Sequence, residues 1–204
     1  MLQKKTDKLP EWDLSDLYDA PESASFNDDM EQLKKSVHDF EAEYKKAILI
    51  KDAPIGENVK RLKKSIVSYE EILNSMGKLS GYATLHHVTA TNDPGRTKFY
   101  GDTQVKITEI SNKIIFYELE LNSLSEKVLE KLLNDKELAS YKAWFENIRK
   151  YKPHQLSDEV EQIFHDKSMT SFSAWNRLFD QTISNMKVDI DGESKSLEEA
   201  LNYL

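Results

Sequence analysis

Residues 26–47 read FNDDMEQLKKSVHDFEAEYKKA, and the spacing of their apolar side chains decides the fold class. The apolar residues recur with alternating steps of four and three: Phe26, Met30, Leu33, Val37, Phe40, Tyr44 and Ala47. Side chains at such steps lie on one face of an α-helix. The stretch therefore predicts an amphipathic helix of roughly 25 residues, which the loop of residues 51–56 follows.

The same pattern of three and four residues occurs twice more. The second stripe is Val59, Leu62, Ile66, Tyr69, Leu73 and Met76, with Ala83 one heptad later; the third is Ile107, Ile110, Ile114, Tyr117 and Leu121. We predict a second helix over residues 57–89, loosened near Gly77 and Gly81 and stopped by the turn of residues 92–95. Long amphipathic helices joined by short loops pack antiparallel. The sequence therefore predicts a mainly all-α fold, an elongated bundle of long antiparallel helices.

Shorter elements follow these three helices. Ser125 is expected to cap a helix over residues 126–133, and Ser157 precedes a helix whose first residues are acidic. The apolar positions of the remaining predicted helices are Leu138, Tyr141, Trp144, Phe145 and Ile148; then Val160, Ile163 and Phe164; then Trp175, Leu178, Phe179 and Ile183. We expect these side chains to face the core because their spacing is helical.

The last segment has a different period. Met186, Val188 and Ile190 alternate with charged residues, and Asp191-Gly192 is a two-residue turn signal, so we predict a small β-hairpin. Residues 196–199 read SLEE, a capping box that opens another helix. That helix has hardly begun at Leu204, so the sequence looks cut. We expect exposed apolar surface around Leu197, Leu201 and Leu204, and association of the chain in light scattering.

These patterns divide the chain into three parts. Residues 1–20 are interpreted as an amino-terminal arm that docks Trp12, Leu14, Leu17 and Tyr18 on the body of the protein. Residues 21–185 form the helical domain. Residues 186–204 form the hairpin and the start of a helix that leads into a missing catalytic region.

Composition excludes several classes of protein. The chain has 204 residues with six Gly and five Pro, about half the usual share, so a turn-rich all-β fold is excluded. The absence of Cys excludes disulfide scaffolds, thiolate zinc sites and Cys nucleophiles. The net charge of −8 argues against binding to nucleic acid or to an anionic membrane. No apolar run reaches the length of a membrane span or a signal peptide, and the default location is cytoplasmic.

Motifs for chemistry are absent from the sequence. None of the five His belongs to H-E-x-x-H or to E-x-x-H, and no phosphate-binding glycine loop or nucleophile elbow occurs. Glu161 and His165 share a helix face at the spacing of metal ligands, so a helical metal enzyme is one hypothesis and a structural pair is the other. The basic residues 60–64 are interpreted as a solvated helix face, with contact to an anion as the alternative.

Several stretches of the chain resemble, in order, the start of oligoendopeptidase F proteins, which are zinc metallopeptidases related to thimet oligopeptidase. Residue 160 departs from the pattern because it is Val where the family has Glu. The stretches are residues 9–18 (LPEWDLSDLY), 81–85 (GYATL), 91–94 (TNDP), 151–161 (YKPHQLSDEVE), 174–180 (AWNRLFD) and 196–201 (SLEEAL).

The resemblance implies a function that the residues alone do not. It implies the amino-terminal wall of a substrate channel in a zinc-dependent oligopeptidase that hydrolyses short peptides, with zinc bound by the missing catalytic region. It covers about the first third of such enzymes, so no catalytic, cofactor-binding or metal residue is assigned in this chain. We expect the 204-residue chain to be inactive and to bind no zinc. The alternative is a stand-alone protein-interaction module whose stripes bind a partner helix.

Overall fold

A computed structural model describes residues 12–203 of the chain. The fold is mainly helical, with 71% of residues in helices and one small antiparallel sheet, which confirms the predicted fold class. The helices are α1 (Ala24–Tyr44), α2 (Ile55–Val88), α3 (Pro94–Ser111), α4 (Ile115–Ser123), α5 (Glu126–Leu133), α6 (Lys142–Arg149), α7 (Asp158–Ser168), α8 (Phe172–Asn185) and α9 (Leu197–Leu201). The strands are β1 (Lys187–Ile190) and β2 (Glu193–Ser196), and single 3-10 turns lie at Asn112–Ile114, Ala139–Tyr141 and Lys152–His154.

Helices α1, α2 and α3 pack antiparallel in chain order. Between α1 and α2, Lys64 binds Glu43 while Lys78, farther along α2, binds Asp29 near the start of α1. Rising numbers on one helix meet falling numbers on the other, so the two helices run in opposite directions. Helix α2 has 34 residues, and its length is therefore about 51 Å.

The first stripe forms the core face of α1 as predicted, except at its end. The side chains from Phe26 to Tyr44 in that stripe are buried, but Ala47 is exposed and Ile48 is buried in its place. Lys46 has a φ of 62°, outside the helical region, so α1 stops at Tyr44 after 21 residues. The predicted length of roughly 25 residues was therefore too long.

The stripe on α2 changes register halfway along the helix. Leu73 is 43% exposed, and the neighbouring Ile72 takes the buried position, followed by Leu79 and Ala83. The expected loosening near Gly77 and Gly81 was also wrong, because α2 continues unbroken through both.

The third stripe is buried as predicted, but two helices carry it. Ile107 and Ile110 lie on α3, the 3-10 turn ends with Ile114, and Tyr117 and Leu121 lie on α4. All five side chains belong to one core.

The amino-terminal arm is anchored mainly by Tyr18. Tyr18 is buried, and Leu14 and Leu17 pack half-buried against the core, whereas Trp12 is 68% exposed, so its predicted docking was wrong. Residues 1–11 of the arm lie outside the described residues. The proposed division into three parts stays a prediction.

The β-hairpin and its flanking cap form as the sequence predicts. Lys187 pairs with Ser196 and Ile190 with Glu193, around a turn in which Asp191 and Gly192 have φ values of 54° and 83°. Two positive φ angles define the turn that suits the twist of a hairpin. The Ser196 hydroxyl accepts from the Glu199 N–H, and the Glu199 carboxylate accepts from the Ser196 N–H, which completes the capping box.

Candidate functional site

Large apolar side chains are exposed on α7 and α8, where the sequence predicted core positions. Trp175 is 70% exposed and Phe179 64% exposed, and no residue of either helix is fully buried. Helical spacing identifies the apolar positions but not what covers them. The predicted burial of Val160 was likewise wrong. We name the α7–α8 surface by its six most exposed large members: Ile163, Phe164, Phe172, Trp175, Leu178 and Phe179.

Exposed apolar surface also occurs near the carboxyl end, as the sequence predicted. Leu201 is 56% exposed and Tyr203 62% exposed, whereas Leu197 is half-buried. Leu204 lies outside the described residues. Exposed large apolar side chains, where they form one patch, mark an interface or a binding site.

A polar groove lies between α4 and α7. Two adjoining cavities of about 280 Å³ and about 330 Å³ share Glu118, Leu119 and Glu161 as lining residues. We call these two cavities together the α4–α7 groove. Part of its polar lining comes from Glu118 and Asn122, one turn apart on α4, and from Glu161 and His165, one turn apart on α7. His154 and Gln155, from the segment before α7, also line the larger cavity.

The Glu161–His165 pair meets other partners in the structure. A carboxylate oxygen of Glu161 accepts from the Leu156 N–H at 2.9 Å, and His165 Nε2 lies 3.2 Å from the Ser111 hydroxyl. Within residues 12–203, no group of three or more His, Asp or Glu side chains is arranged to hold a metal ion. Both contacts are of the structural kind: one closes the turn before α7, and the other joins α7 to α3.

The basic stretch of residues 60–64 holds the end of α1. Arg61 donates to the carbonyl oxygens of Glu43 and Ala47 at 2.7 Å and 2.9 Å, and its guanidinium lies 4.9 Å from the Tyr44 ring centroid. Lys64 binds the Glu43 carboxylate at 2.9 Å. Hydrogen bonding to Lys64 lowers the pKa of Glu43. This arrangement satisfies carbonyl groups that a helix end leaves unpaired.

His86 and His87 pack against aromatic rings. His87 stacks on Tyr100 with ring centroids 4.9 Å apart, and His86 lies 5.9 Å from both Tyr82 and Phe99. Burial lowers the pKa of His86. The two imidazoles therefore belong to the packing between α2 and α3.

Glu118, Asn122 and Gln155 are polar groove residues that the sequence does not single out. They belong to α4 and to the segment before α7, and the fold brings them to Glu161. Glu118 and Asn122 are four residues apart, a spacing that also occurs at many solvated helix positions. Only the position of α7 against α4 distinguishes them.

A family model and two known proteins match parts of this chain. A family model described as oligopeptidase F, the amino-terminal family of M3 peptidases, matches residues 120–187. An oligoendopeptidase F homologue from Borreliella burgdorferi is 29% identical over 106 residues, which is 52% of this chain and 18% of that protein. A crystal structure from Chlamydophila abortus, described as a candidate peptidase, has a TM-score of 0.53 and 19% identity, and covers 94% of this chain and 32% of its own.

The matches indicate the class of protein to which the chain is similar. The chain is similar to the helical amino-terminal part of larger peptidases, and it spans well under half of the relatives it matches. The family model and the Borreliella burgdorferi relative show that the sequence is similar to oligoendopeptidase F proteins, and the Chlamydophila abortus structure shows a similar fold. No helix within residues 12–203 is long and apolar enough to cross a membrane.

Proposed function

We propose that the chain is the amino-terminal helical region of a zinc-dependent oligopeptidase that hydrolyses short peptides, and that it forms one wall of the substrate channel. The family match over residues 120–187 supports a peptidase parent. In this proposal the catalytic residues belong to a part of the protein outside these 204 residues. Residues 1–20 are its arm, 21–185 its helical domain and 186–204 its link to the catalytic region.

The α7–α8 surface is the observation that carries this proposal. Its six large apolar side chains are each more than half exposed, and all lie inside the stretch that matches the family model. Burying one such side chain stabilises a protein by roughly 1.5–3 kcal/mol. A chain that leaves six of them in water is best explained if another region of the same protein covers part of the surface.

The described residues do not fit a zinc site, because they bring no three metal-binding side chains together. The role left to this region is to shape the channel, to exclude water and to contact the peptide. The 204-residue chain alone should therefore hydrolyse no peptide and bind no stoichiometric zinc. A cytoplasmic location belongs to the same proposal.

The reading frame after Leu204 tests this proposal together with an activity assay. We expect an open frame that encodes H-E-x-x-H, and we expect its longer product to bind one zinc ion and to cleave a quenched fluorescent peptide. The 204-residue chain serves as the inactive partner in both measurements. A stop codon without such a motif, or zinc near one per 204-residue chain, would overturn the proposal.

The alternative is a protein-interaction module. Its support from the sequence was the three apolar stripes, and the structure weakens that support. The three apolar stripes that would bind a partner helix are largely buried in the core of this chain. Among the described residues, the α7–α8 surface and the exposed apolar residues near the carboxyl end, Leu201 and Tyr203, remain for a separate partner. Under this alternative the isolated chain would bind its partner without the downstream region, and the stop codon described above would favour it.

A further inference from the structure

We propose that α8 is the interface between two copies of this chain, which pair antiparallel along its apolar face. The inference goes beyond the proposed function, in which another region of the same protein covers part of the α7–α8 surface. Four residues of α8 follow one another at steps of three, four and three: Phe172, Trp175, Phe179 and Thr182. We call these four residues the α8 seam. A narrow stripe at such steps is the pattern by which one helix packs along another.

The α8 seam faces away from the rest of the chain. Its three aromatic side chains are between 64% and 73% exposed. The opposite side of the helix meets the chain, because Arg177 is half-buried and the Ser184 hydroxyl donates to Oδ1 of Asn92 at 3.4 Å. Helix α8 therefore packs on its own chain with a polar face and leaves its apolar face free. A surface helix of a single folded chain has the reverse arrangement.

The exposed area of α8 suits a partner of protein size. Aromatic side chains bury roughly 150–250 Å² each, so the exposed parts of the three rings amount to about 400 Å². A specific interface buries about 800 Å² on each partner. The rings alone supply about half of the area that a stable dimer needs. Leu178 beside the seam and Met186 at its end, which are 51% and 41% exposed, add to it.

The charge of α8 permits two copies to meet. The whole chain has a net charge of −8, so most pairs of its surfaces would repel each other. The residues on both sides of the α8 seam are uncharged: Ser171, Asn176, Leu178, Ile183 and Asn185. The charged residues of α8 are Arg177 and Asp180, which have opposite signs and lie outside these positions. Two copies can therefore pair along the seam without like charges in contact.

The order of side chains in the seam favours an antiparallel pair. With a two-fold axis at the level of residue 177, Phe179 meets Trp175 of the second copy, and Phe172 meets Thr182. Two rings then lie together at the centre, and a large side chain lies opposite a small one at each end, which fills space well. In a parallel pair each residue would meet its own copy, with two large rings at one end and two threonines at the other. The antiparallel contact uses the same patch on both chains and closes with two copies.

Sedimentation velocity of the 204-residue chain tests the pairing. We expect the dimer to dominate at about 0.1 mM, because interfaces of this size have a Kd of about 1 μM or lower. Trp175→Glu places a charge in the seam and should raise the Kd of the dimer at least about tenfold. The matched control is Val105→Glu on α3, where an apolar side chain 48% exposed lies outside α8. Circular dichroism checks that both variants are folded.

Three outcomes of that experiment would overturn the proposal. A monomeric parent chain would leave the seam to a helix of another region or of another protein. Larger aggregates without a defined dimer would show that the exposed apolar surface is not a specific interface. Equal weakening by Trp175→Glu and Val105→Glu would place the contact elsewhere.

Two single-cysteine variants test the antiparallel order. The chain has no Cys, so Asn176→Cys and Asn185→Cys each carry one thiol beside the seam. Along the helix axes, residue 176 lies about 3 Å from its own copy and residue 185 about 24 Å, given the rise of 1.5 Å per residue. We expect a short bis-maleimide reagent to join two Asn176→Cys chains and not two Asn185→Cys chains. A parallel pair would be joined at both positions, and any pattern other than the expected one would overturn the order. Neither measurement depends on the reading frame after Leu204, so this proposal can fail while the proposed function stands.

Discussion

At the scale of single residues, buried polar atoms in the core depend on one another. Ser65 and Tyr117 are both fully buried, and their hydroxyl oxygens lie 2.7 Å apart. The Ser65 hydroxyl donates to the Leu62 carbonyl oxygen at 2.8 Å, so Tyr117 is the donor between the two hydroxyls. Burial raises the pKa of Tyr117, which keeps its hydroxyl protonated and able to donate. Tyr117 therefore depends on Ser65 as its acceptor, whereas Ser65 keeps its bond to Leu62 without Tyr117.

Replacing Ser65 should therefore cost more than replacing Tyr117. Ser65→Ala leaves the buried Tyr117 hydroxyl without an acceptor, and we expect a loss of about 2 kcal/mol in the free energy of unfolding. Tyr117→Phe leaves the Ser65 bond to Leu62 intact and should cost less, about 1 kcal/mol. Urea unfolding followed by circular dichroism measures both.

The double variant separates the pair from its surroundings. Adding Tyr117→Phe to Ser65→Ala removes the unpartnered hydroxyl, so the double variant should be no less stable than Ser65→Ala alone. If the two losses simply add, the hydroxyls are not coupled in the way that the geometry indicates.

At the scale of elements, periodicity predicted which helices exist and which faces of α1, α2 and α3 are buried. A strict heptad places Leu73 in the core, but Ile72 is buried in its place. The apolar residues of α7 and α8 have helical spacing but no cover among the described residues, and spacing does not say what a face packs against.

The groove could be predicted only in part. Glu161 and His165 are four residues apart and were recognised as sharing a face. Asn122 and Gln155 are separated by 33 positions, and only the packing of α4 beside α7 brings them to one cavity. A single sequence carries no local signal that residues so far apart in the chain lie close together in the fold.

The contact between the arm, α1 and α2 should make stability depend on pH. Lys78 and Tyr18 donate to the Asp29 carboxylate at 2.8 Å and 2.7 Å, and Lys78 lies 4.3 Å from the Tyr18 ring centroid. The bond from Lys78 first, and then that from Tyr18, lower the pKa of Asp29 in the folded protein. The unfolded chain therefore binds this proton more readily than the folded chain does.

The sign of the effect follows from that lowered pKa. The contribution of Asp29 is present above the unfolded pKa of about 3.9 and is lost as the pH falls through the folded pKa. Asp29→Asn should destabilise the protein near neutral pH, and its difference from the parent should shrink in acid. Urea unfolding at about pH 7 and about pH 3 tests this. The matched control is Asp28→Asn, an exposed neighbour without an ion pair among the described residues. Equal pH slopes for the parent and Asp29→Asn would contradict the assignment.

At the scale of the whole molecule, the buried aromatic residues and the exposed ones have different roles. Phe145 is 1% exposed in the core, whereas Phe179 on α8 is 64% exposed. The first stabilises the fold, and the second belongs to a surface that water contacts in the isolated chain. The same substitution at the two positions should therefore change different properties.

Phe145→Ala should cost about 3–5 kcal/mol in the free energy of unfolding because it leaves a cavity. Phe179→Ala should stay within about 0.5 kcal/mol. Phe179→Ala should instead reduce the self-association of the chain, since it removes exposed apolar area. Denaturant unfolding and sedimentation velocity measure the two effects separately. A large stability loss at Phe179 would show that α8 is packed more tightly than its exposure indicates.

The connection between α1 and α2 is held by side chains at several backbone groups. Glu120 accepts from the Lys46 N–H at 2.8 Å, Asn58 bonds both the N–H and the carbonyl of Ile50, and Arg61 binds the Ala47 carbonyl. A protease must draw its target segment into an extended strand, and these bonds oppose that change. Trypsin should therefore cut after Lys46 slowly while the molecule is folded, although the lysine is on the surface. The connection between α1 and α2 should therefore resist proteolysis in the folded protein although it lies on the surface.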